Sequence, residues 1–315
     1  VAAVQEERFT RIKFDSSFPE LSIICCLNIA NIEIGDVDII AFYEEPKLKW
    51  DRIYSSFLHY DKPSFRKIRS LKKYLDNKFL IEHLIFNKYL KGFKGKIIFT
   101  HHHISHASSA FYPSPFNKAA IVTIDAIGEW SSTSIGFGNN ENIEILKEQR
   151  YPHSLGFLYS SFTQYLGFKV DSDEYKIMGL APYGVPEYVE KIKSKIVKIY
   201  EDGSIKIATD FFDFMKNNSM INKKFEDCFG VKKRTKNETL NNFHYNIASS
   251  IQKICEEVVK KITIQAIKLT GSKRVVLAGG VALNCVANGK LINDKIVSEI
   301  WIQPCSGDAG GALGA

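Results

Sequence analysis

Half of the chain's eight histidines stand in one stretch, Thr100-His101-His102-His103-Ile104-Ser105-His106. On a helix, imidazoles at i and i+4 project from one face, where two neutral rings can hold one divalent ion. His102 and His106 have that spacing, and Asp125 closes the apolar run 119–125. A carboxylate at the end of a strand points into the crevice where α/β sheets bind ligands. These residues favour a metal site. Histidines at this spacing also occur as plain core or surface residues, and it is the strand-end carboxylate that raises the metal reading above that one. His101 and His103 fall on other faces of the helix, where roles supporting the ligands or at the surface are expected.

Two further segments place an aspartate beside glycines after a strand: Asp125-Ala126-Ile127-Gly128 and Ser306-Gly307-Asp308-Ala309-Gly310-Gly311. Glycine lets backbone approach a phosphate, and the aspartate can bind a metal or orient a water. Either alone is as readily a turn cap, but two together suggest a nucleotide site between paired lobes, with Gly307 and Gly310 lining it. Val276-Leu277-Ala278-Gly279-Gly280-Val281-Ala282-Leu283-Asn284 is strand, double glycine, then helix. That order offers backbone N–H groups to an anion or a ribose, making Gly279, Gly280 and Asn284 cofactor-binding candidates. It has neither the Gly-x-Gly-x-x-Gly fingerprint nor a P-loop lysine, and double glycines also serve plain packing. Residues 171–184 form an acidic loop around one lysine, Lys176, able to clamp a substrate or simply to cover the surface. Cys285 and Cys305 stand near glycines without a neighbouring base and are expected as small core residues.

Strands are expected at 1–4, 37–42, 96–99, 119–125, 131–137, 143–149, 274–277 and 300–303, and helices over the histidine segment 101–106 and at 21–29, 155–167, 187–200, 240–269 and 281–292. Glycine-containing turns join the strands at 119–149, which predicts a mixed sheet with an antiparallel part. Residues 47–95 carry Lys, Phe, Tyr and Leu at helical spacing and are expected as an inserted helical cap without chemistry. Residues 211–231 are expected to be irregular.

With 315 residues, 45% hydrophobic and 24% charged, the chain is of ordinary globular composition and long enough for two lobes. The net charge of +7 is spread rather than gathered into a block, which suits an anion such as a nucleotide phosphate better than nucleic acid. Six cysteines without a CxxC pair suggest reduced thiols in a cytoplasm, and no apolar run reaches membrane-span length. The chain opens on Val1 and its first methionine is Met178. Both ends therefore read as cut from a longer protein.

Taken together, several segments resemble the NodU/TobZ carbamoyltransferase family: residues 5–11, 102–115 (HHISHASSAFYPSP), 123–130 (TIDAIGEW), 174–184 (EYKIMGLAPYG), 279–288 (GGVALNCVAN) and 303–315 (QPCSGDAGGALGA). They follow the family's order over nearly the whole chain, leaving 47–95 and 204–240 unmatched. The resemblance implies an α/β actin/sugar-kinase/RNase H-like two-lobed fold with mixed sheets, truncated at both ends. Residues 1–150 would form the N-terminal lobe with the helical insertion and the metal histidines, and 151–315 the C-terminal lobe with the nucleotide-binding turns.

It also implies that His102, His106, Asp125 and Asp308 hold a divalent ion, Fe2+ first, with Zn2+ or Mn2+ also suited to the donors. The Gly279–Asn284 turn would face adenosine, and His102, His106, Asp125 and Lys176 would serve the reaction. The implied activity is O-carbamoyl transfer to a hydroxyl of a small sugar-like or secondary metabolite. The donor, carbamoyl-adenylate, would be made from carbamoyl phosphate and ATP in a YrdC-like domain expected after residue 315. Two alternatives remain beside it. One is threonylcarbamoyl transfer to tRNA, against which the EYKIMGLAPYG and TIDAIGEW segments argue. The other is a non-catalytic actin-like nucleotide-binding fragment, which needs no histidine ligands.

Overall fold

Nine strands and the helices between them are described for residues 2–60, 81–215 and 219–315 of the computed structural model. The strands are β1 (Ile39–Phe42), β2 (Lys96–Phe99), β3 (Lys118–Ile124), β4 (Ser131–Asn139), β5 (Asn142–Arg150), β6 (Val197–Ile199), β7 (Ile205–Ile207), β8 (Arg274–Ala278) and β9 (Glu299–Ile302). The helices used below are α1 (Glu20–Ala30), α2 (Pro46–Tyr60), α3 (His102–Phe111), α4 (Leu155–Tyr165), α5 (Glu174–Leu180), α6 (Asn242–Thr270) and α7 (Cys285–Asn293).

The central sheet runs β5-β4-β3-β8-β9. β3, β4 and β5 form an antiparallel meander, and β8 and β9 continue the other edge in parallel with β3. The sheet is therefore mixed, with the antiparallel part that the turns at 119–149 predict. β3 is buried from Ala119 to Ile124 because both its faces are covered. Ala120, Val122 and Ile124 pack with Val275 and Leu277 of β8 into the core formed by α4 and α6. Ala119 and Ile121 face the other way, with Val276 and Ala278, onto Ala107, Ala110 and Phe111 of α3. Helices thus clamp the sheet from both sides, and α3 is held against the two strands whose ends carry Asp125 and Gly279.

A second, parallel sheet pairs β1 with β2 in register Ile39↔Lys96 to Phe42↔Phe99. The segment expected as a helical insertion lies between these strands and contains α2 and a π-helical turn, Ile85–Tyr89. Residues 61–80 of it lie outside the described residues, as does Val1.

Several local expectations change. β3 and β8, which lie on either side of residue 150 in the sequence, pair from Ala120↔Val275 through Thr123↔Ala278. Ala2, Ala3 and Val4 are not in a strand among the described residues. The polar loop 171–184 contains α5, because Ile177 is fully buried in the main core and anchors the turn. The helix expected at 187–200 ends at Lys195, and β6 then pairs with β7 across a turn through Gly203. Within 211–231 a helix forms at Lys223–Phe229, where Asn222 caps its first turn and Phe225 and Phe229 are buried. The helix expected from residue 281 starts later, at Cys285, because the Asn284 side chain accepts the Ala287 N–H at 3.0 Å and acts as its N-cap.

Candidate metal centre

β3 delivers Asp125 at its C-terminal end, and α3 begins just beyond β2. Glu129 fixes the start of that helix. Its carboxylate accepts the His102 N–H at 2.9 and 3.2 Å, satisfying a donor that the first helical turn leaves unpaired. The same carboxylate accepts the Glu45 N–H, at 2.8 Å, at the entrance to α2. His102 and His106, one turn apart, then face Asp125, and Asp308 arrives from the turn after β9.

The two imidazole Nε2 atoms are 3.0 Å apart. His102 Nε2 lies 3.2 Å from Asp125 Oδ2 and 3.6 Å from Asp308 Oδ1. His106 Nε2 lies 3.8 and 3.5 Å from the same oxygens. One ligand atom from each of the four side chains falls within 4.8 Å of the others. A cation with bonds of about 2.1 Å places neighbouring ligands roughly 3.0 to 3.4 Å apart, depending on coordination number. The spacings and the donor set of two imidazoles and two carboxylates therefore fit a divalent ion. His102, His106 and Asp125 are buried, whereas the Asp308 side chain is 64% exposed, so the cluster opens to solvent on the Asp308 side.

Asp125 also binds the glycine turn, because its Oδ1 accepts the Gly280 N–H at 3.1 Å. Gly279 reaches across to Ser306, donating its N–H to that carbonyl at 2.7 Å. The turn at 279–283 and the Ser306–Asp308 loop therefore meet the cluster directly. Gly307 immediately precedes the Asp308–Gly310 turn.

Two of the expected residues have other partners. Asn284 is buried, and its amide is engaged by Gln252 in a reciprocal pair of 3.0 and 2.9 Å as well as by its capping bond. Lys176 pairs with Asp173 at 2.9 Å on the exposed side of α5, apart from the four donors. Cys285 and Cys305 are exposed rather than core residues: Cys285 opens α7 and Cys305 sits in the turn after β9, both outside the packed faces. His103 is buried with Nδ1 3.0 Å from Ser134 Oγ, and burial pushes its pKa down to about 3, so it stays neutral. His101 is exposed and precedes the helix.

One residue of the site, Glu129, has no role assigned from the sequence, and Asp171 enters it only as part of the acidic loop 171–184. Glu129 acts on backbone far from it in sequence and leaves no local signature. Asp171, in the left-handed region at φ +62°, is open to solvent yet hemmed in by protein. Its carboxyl is raised, first by desolvation and then by the charges of Glu174, Asp308 and Asp125.

The protonation of the cluster gives an expected pH dependence. Burial alone would lower the His106 pKa, but hydrogen bonds to Asp125 and Asp308 and their charges raise it to about 9. Asp125 is held well below the ordinary carboxylate range despite its burial, through its bonds to His102 and His106. Without metal, the His106 contribution to stability is fully present below pH 6.5, the ordinary histidine value, and is lost as the pH rises through about 9. A bound ion must expel that proton. Metal affinity is therefore expected to rise about tenfold per pH unit up to about 9, while the metal-free protein becomes less stable over the same range. Calorimetric titration with Zn2+ and urea unfolding, each at a series of pH values, test the two opposite slopes.

The chain matches the family described as Carbamoyltransferase N-terminus over residues 1–315. It is similar to the uncharacterized protein sll1178 of Synechocystis sp., 43% identical over 322 residues that cover 100% of this chain and 52% of that protein. It is similar to the nodulation protein NolNO of Sinorhizobium fredii, 34% identical over 319 residues that cover 100% of this chain and 44% of that protein. Among solved structures, one match is the (R)-2-hydroxyglutaryl-CoA dehydratase component A of Acidaminococcus fermentans, at TM-score 0.45 and 17% identity, covering 96% of this chain and 83% of that one. The chain spans about half the length of the curated relatives it matches. No described helix is long and apolar enough to cross a membrane. The match over every residue and the two full-length similarities make this chain a member of the carbamoyltransferase family, corresponding to its N-terminal part.

Proposed function

We propose that this chain carries the transfer site of a metal-dependent O-carbamoyltransferase. The observation that supports it best is the four-donor cluster of His102, His106, Asp125 and Asp308 bonded directly to the glycine turn at Gly280. A divalent ion at those donors, Fe2+ by preference, would supply Lewis-acid polarisation and neutralise negative charge. Asp125 joins the ion's ligands to the backbone of residues 279–283 and so sets the distance between them. That backbone, free of side chains at two successive positions, lets an adenylate come close. Burial of three of the four donors keeps water from the inner side of the cluster.

In the reaction, the acceptor oxygen bonds to the carbamoyl carbon, the bond from that carbon to the AMP oxygen breaks, and the hydroxyl proton is released. The products are an O-carbamate and AMP. The donor would be carbamoyl-adenylate made from carbamoyl phosphate and ATP by a YrdC-like domain, and the acceptor a small hydroxylated molecule.

The test uses the protein at its full encoded length with carbamoyl phosphate, ATP, Fe2+ and a panel of sugars and other alcohols. Mass spectrometry should detect a carbamate on at least one hydroxyl, with AMP release that depends on the acceptor. Absence of carbamoyl transfer to every acceptor, in protein shown to hold its metal, would sink the proposal.

A further inference from the structure

Asp125 holds the glycine turn at Gly280, and a group of buried polar side chains outside the donor cluster holds its other end. Tyr159, Gln252, Glu256 and Asn284 are all buried. Tyr159 comes from α4, Gln252 and Glu256 stand one turn apart on α6, and Asn284 is the N-cap of α7. Polar groups are costly to bury unless their hydrogen bonds are made, so their pairing shows which orientations the fold allows.

The pairing is complete. Gln252 Oε1 accepts the Tyr159 hydroxyl and the Asn284 Nδ2 amide, each at 2.9 Å. Gln252 Nε2 donates to Glu256 Oε1 at 3.2 Å and to Asn284 Oδ1 at 3.0 Å. Asn284 Oδ1 also accepts the Ala287 N–H at 3.0 Å, and Asn284 Nδ2 also donates to Cys255 Sγ at 3.8 Å. Glu256 pairs with Lys290 of α7, and a carboxylate can only accept, so it draws the amino end of Gln252 towards itself. Neither amide can flip without setting two oxygens or two amino groups against each other. With every donor and acceptor used, the Asn284 side chain has no hydrogen bond left for a ligand.

α4 ties the two ends of the turn to one support. Its N-cap, Ser154, donates through Oγ to the Asp125 carbonyl at 3.2 Å and the Ala126 carbonyl at 2.6 Å. Further along the same helix Tyr159 reaches Gln252, and through it Asn284. Asn288 adds a second tie, donating to the Ala282 carbonyl within the turn at 2.7 Å. The spacing between the turn and the metal donors is thus set by Asp125 at one end and by Gln252 at the other.

We infer that Gln252 is a positioning residue for nucleotide binding: acting through Asn284, it fixes the backbone of residues 280–283 against the metal donors without touching the ligand. This rests on the adenylate-binding role proposed for that turn and adds the residue that holds it in place.

The test measures AMP binding to the full-length protein loaded with Zn2+, counting only the binding that the metal-free protein lacks. Gln252→Leu keeps much of the bulk and deletes every bond of the amide. It should weaken AMP binding about tenfold, within the range for residues that act on a site through others, and leave Zn2+ affinity at the wild-type value. Ile262→Ala, a truncation in the core further along α6, controls for lost stability and should leave AMP binding unchanged. Tyr159→Phe deletes a single bond to Gln252 and should weaken AMP binding about threefold. It decides the matter if Gln252→Leu does not fold. AMP affinity equal to wild type in the folded network variants overturns the inference. So does a loss in Ile262→Ala as large as theirs, since stability alone would then account for it. The transfer assay separates this inference from the reading beneath it. AMP binding that depends on Gln252, with no carbamate formed on any hydroxyl, removes carbamoyl transfer and leaves the positioning role. Carbamate formation with AMP affinity unchanged in the variants removes the positioning role and leaves carbamoyl transfer. Wild-type protein that binds no AMP in the presence of Zn2+ removes both the adenylate role of the turn and this inference.

Discussion

Replacing His106 with alanine is expected to lower the affinity for a divalent ion by more than about a hundredfold, since loss of a mere supporting partner of a ligand already costs ten- to a hundredfold. His106 is one of four donors, and its Nε2 lies within 4 Å of the other three ligand atoms. Its removal leaves one imidazole and two carboxylates, of which the buried Asp125 keeps its bonds to His102 and the Gly280 N–H. The fold should therefore persist while the ion is lost, and any carbamoyl transfer should be lost with it. His101→Ala, in the exposed residue preceding the helix, is the matched control and should keep wild-type metal content. Metal analysis of purified protein and calorimetric titration with Zn2+ read both variants. A His106→Ala protein with one tightly held ion per chain would show that the cluster is an arrangement of hydrogen bonds and not a metal centre.

The second large effect concerns Gly279. Its backbone sits at φ +87° and ψ 163°, a region essentially reserved for glycine. A Cβ there would stand 2.2 Å from the Ile124 carbonyl oxygen and 2.6 Å from its carbon. Neither neighbour can yield, because Ile124 ends β3 and Gly279 follows β8, and these strands are paired at Thr123↔Ala278. Gly279→Ala is expected to destabilise the protein by about 3 kcal/mol or more, combining the backbone cost with overpacking against main chain. The variant should also weaken metal binding, since β3 carries Asp125 and the turn carries Gly280. Gly179→Ala provides the contrast. Gly179 lies in α5 with nothing within 4 Å of a built Cβ, and alanine there should gain up to about 1 kcal/mol. Urea unfolding of the two variants, followed by circular dichroism, should separate them in opposite directions. Equal midpoints for Gly279→Ala and wild type would mean that the turn is not built in this way.

How much of this was legible beforehand depends on the range of the interaction. The apolar run before Asp125, the i and i+4 spacing of His102 and His106, the strand at Lys96–Phe99 and the long helix Asn242–Thr270 follow from local periodicity, and the folded chain has them where their residue patterns put them. Asp308 stood out by its glycines after a strand, but it joined the other three residues as one ligand set only through resemblance to a family, because its own neighbourhood suits a turn cap equally well. α5 was hidden in a polar stretch because burial of Ile177, rather than its own composition, holds the helix in place.

What the sequence by itself determined was most of the element types and the one-turn spacing of His102 and His106, since both are set by backbone geometry within a few residues. Only the tertiary structure decided that β3 lies beside β8, which brings Asp125 to Gly280 and, through the following loop, to Asp308. It also decided that Glu129 holds the start of the histidine helix to the entrance of α2. Those relations join residues from distant parts of the chain. They depend on strand pairing and on filling both faces of one sheet, which no local pattern encodes.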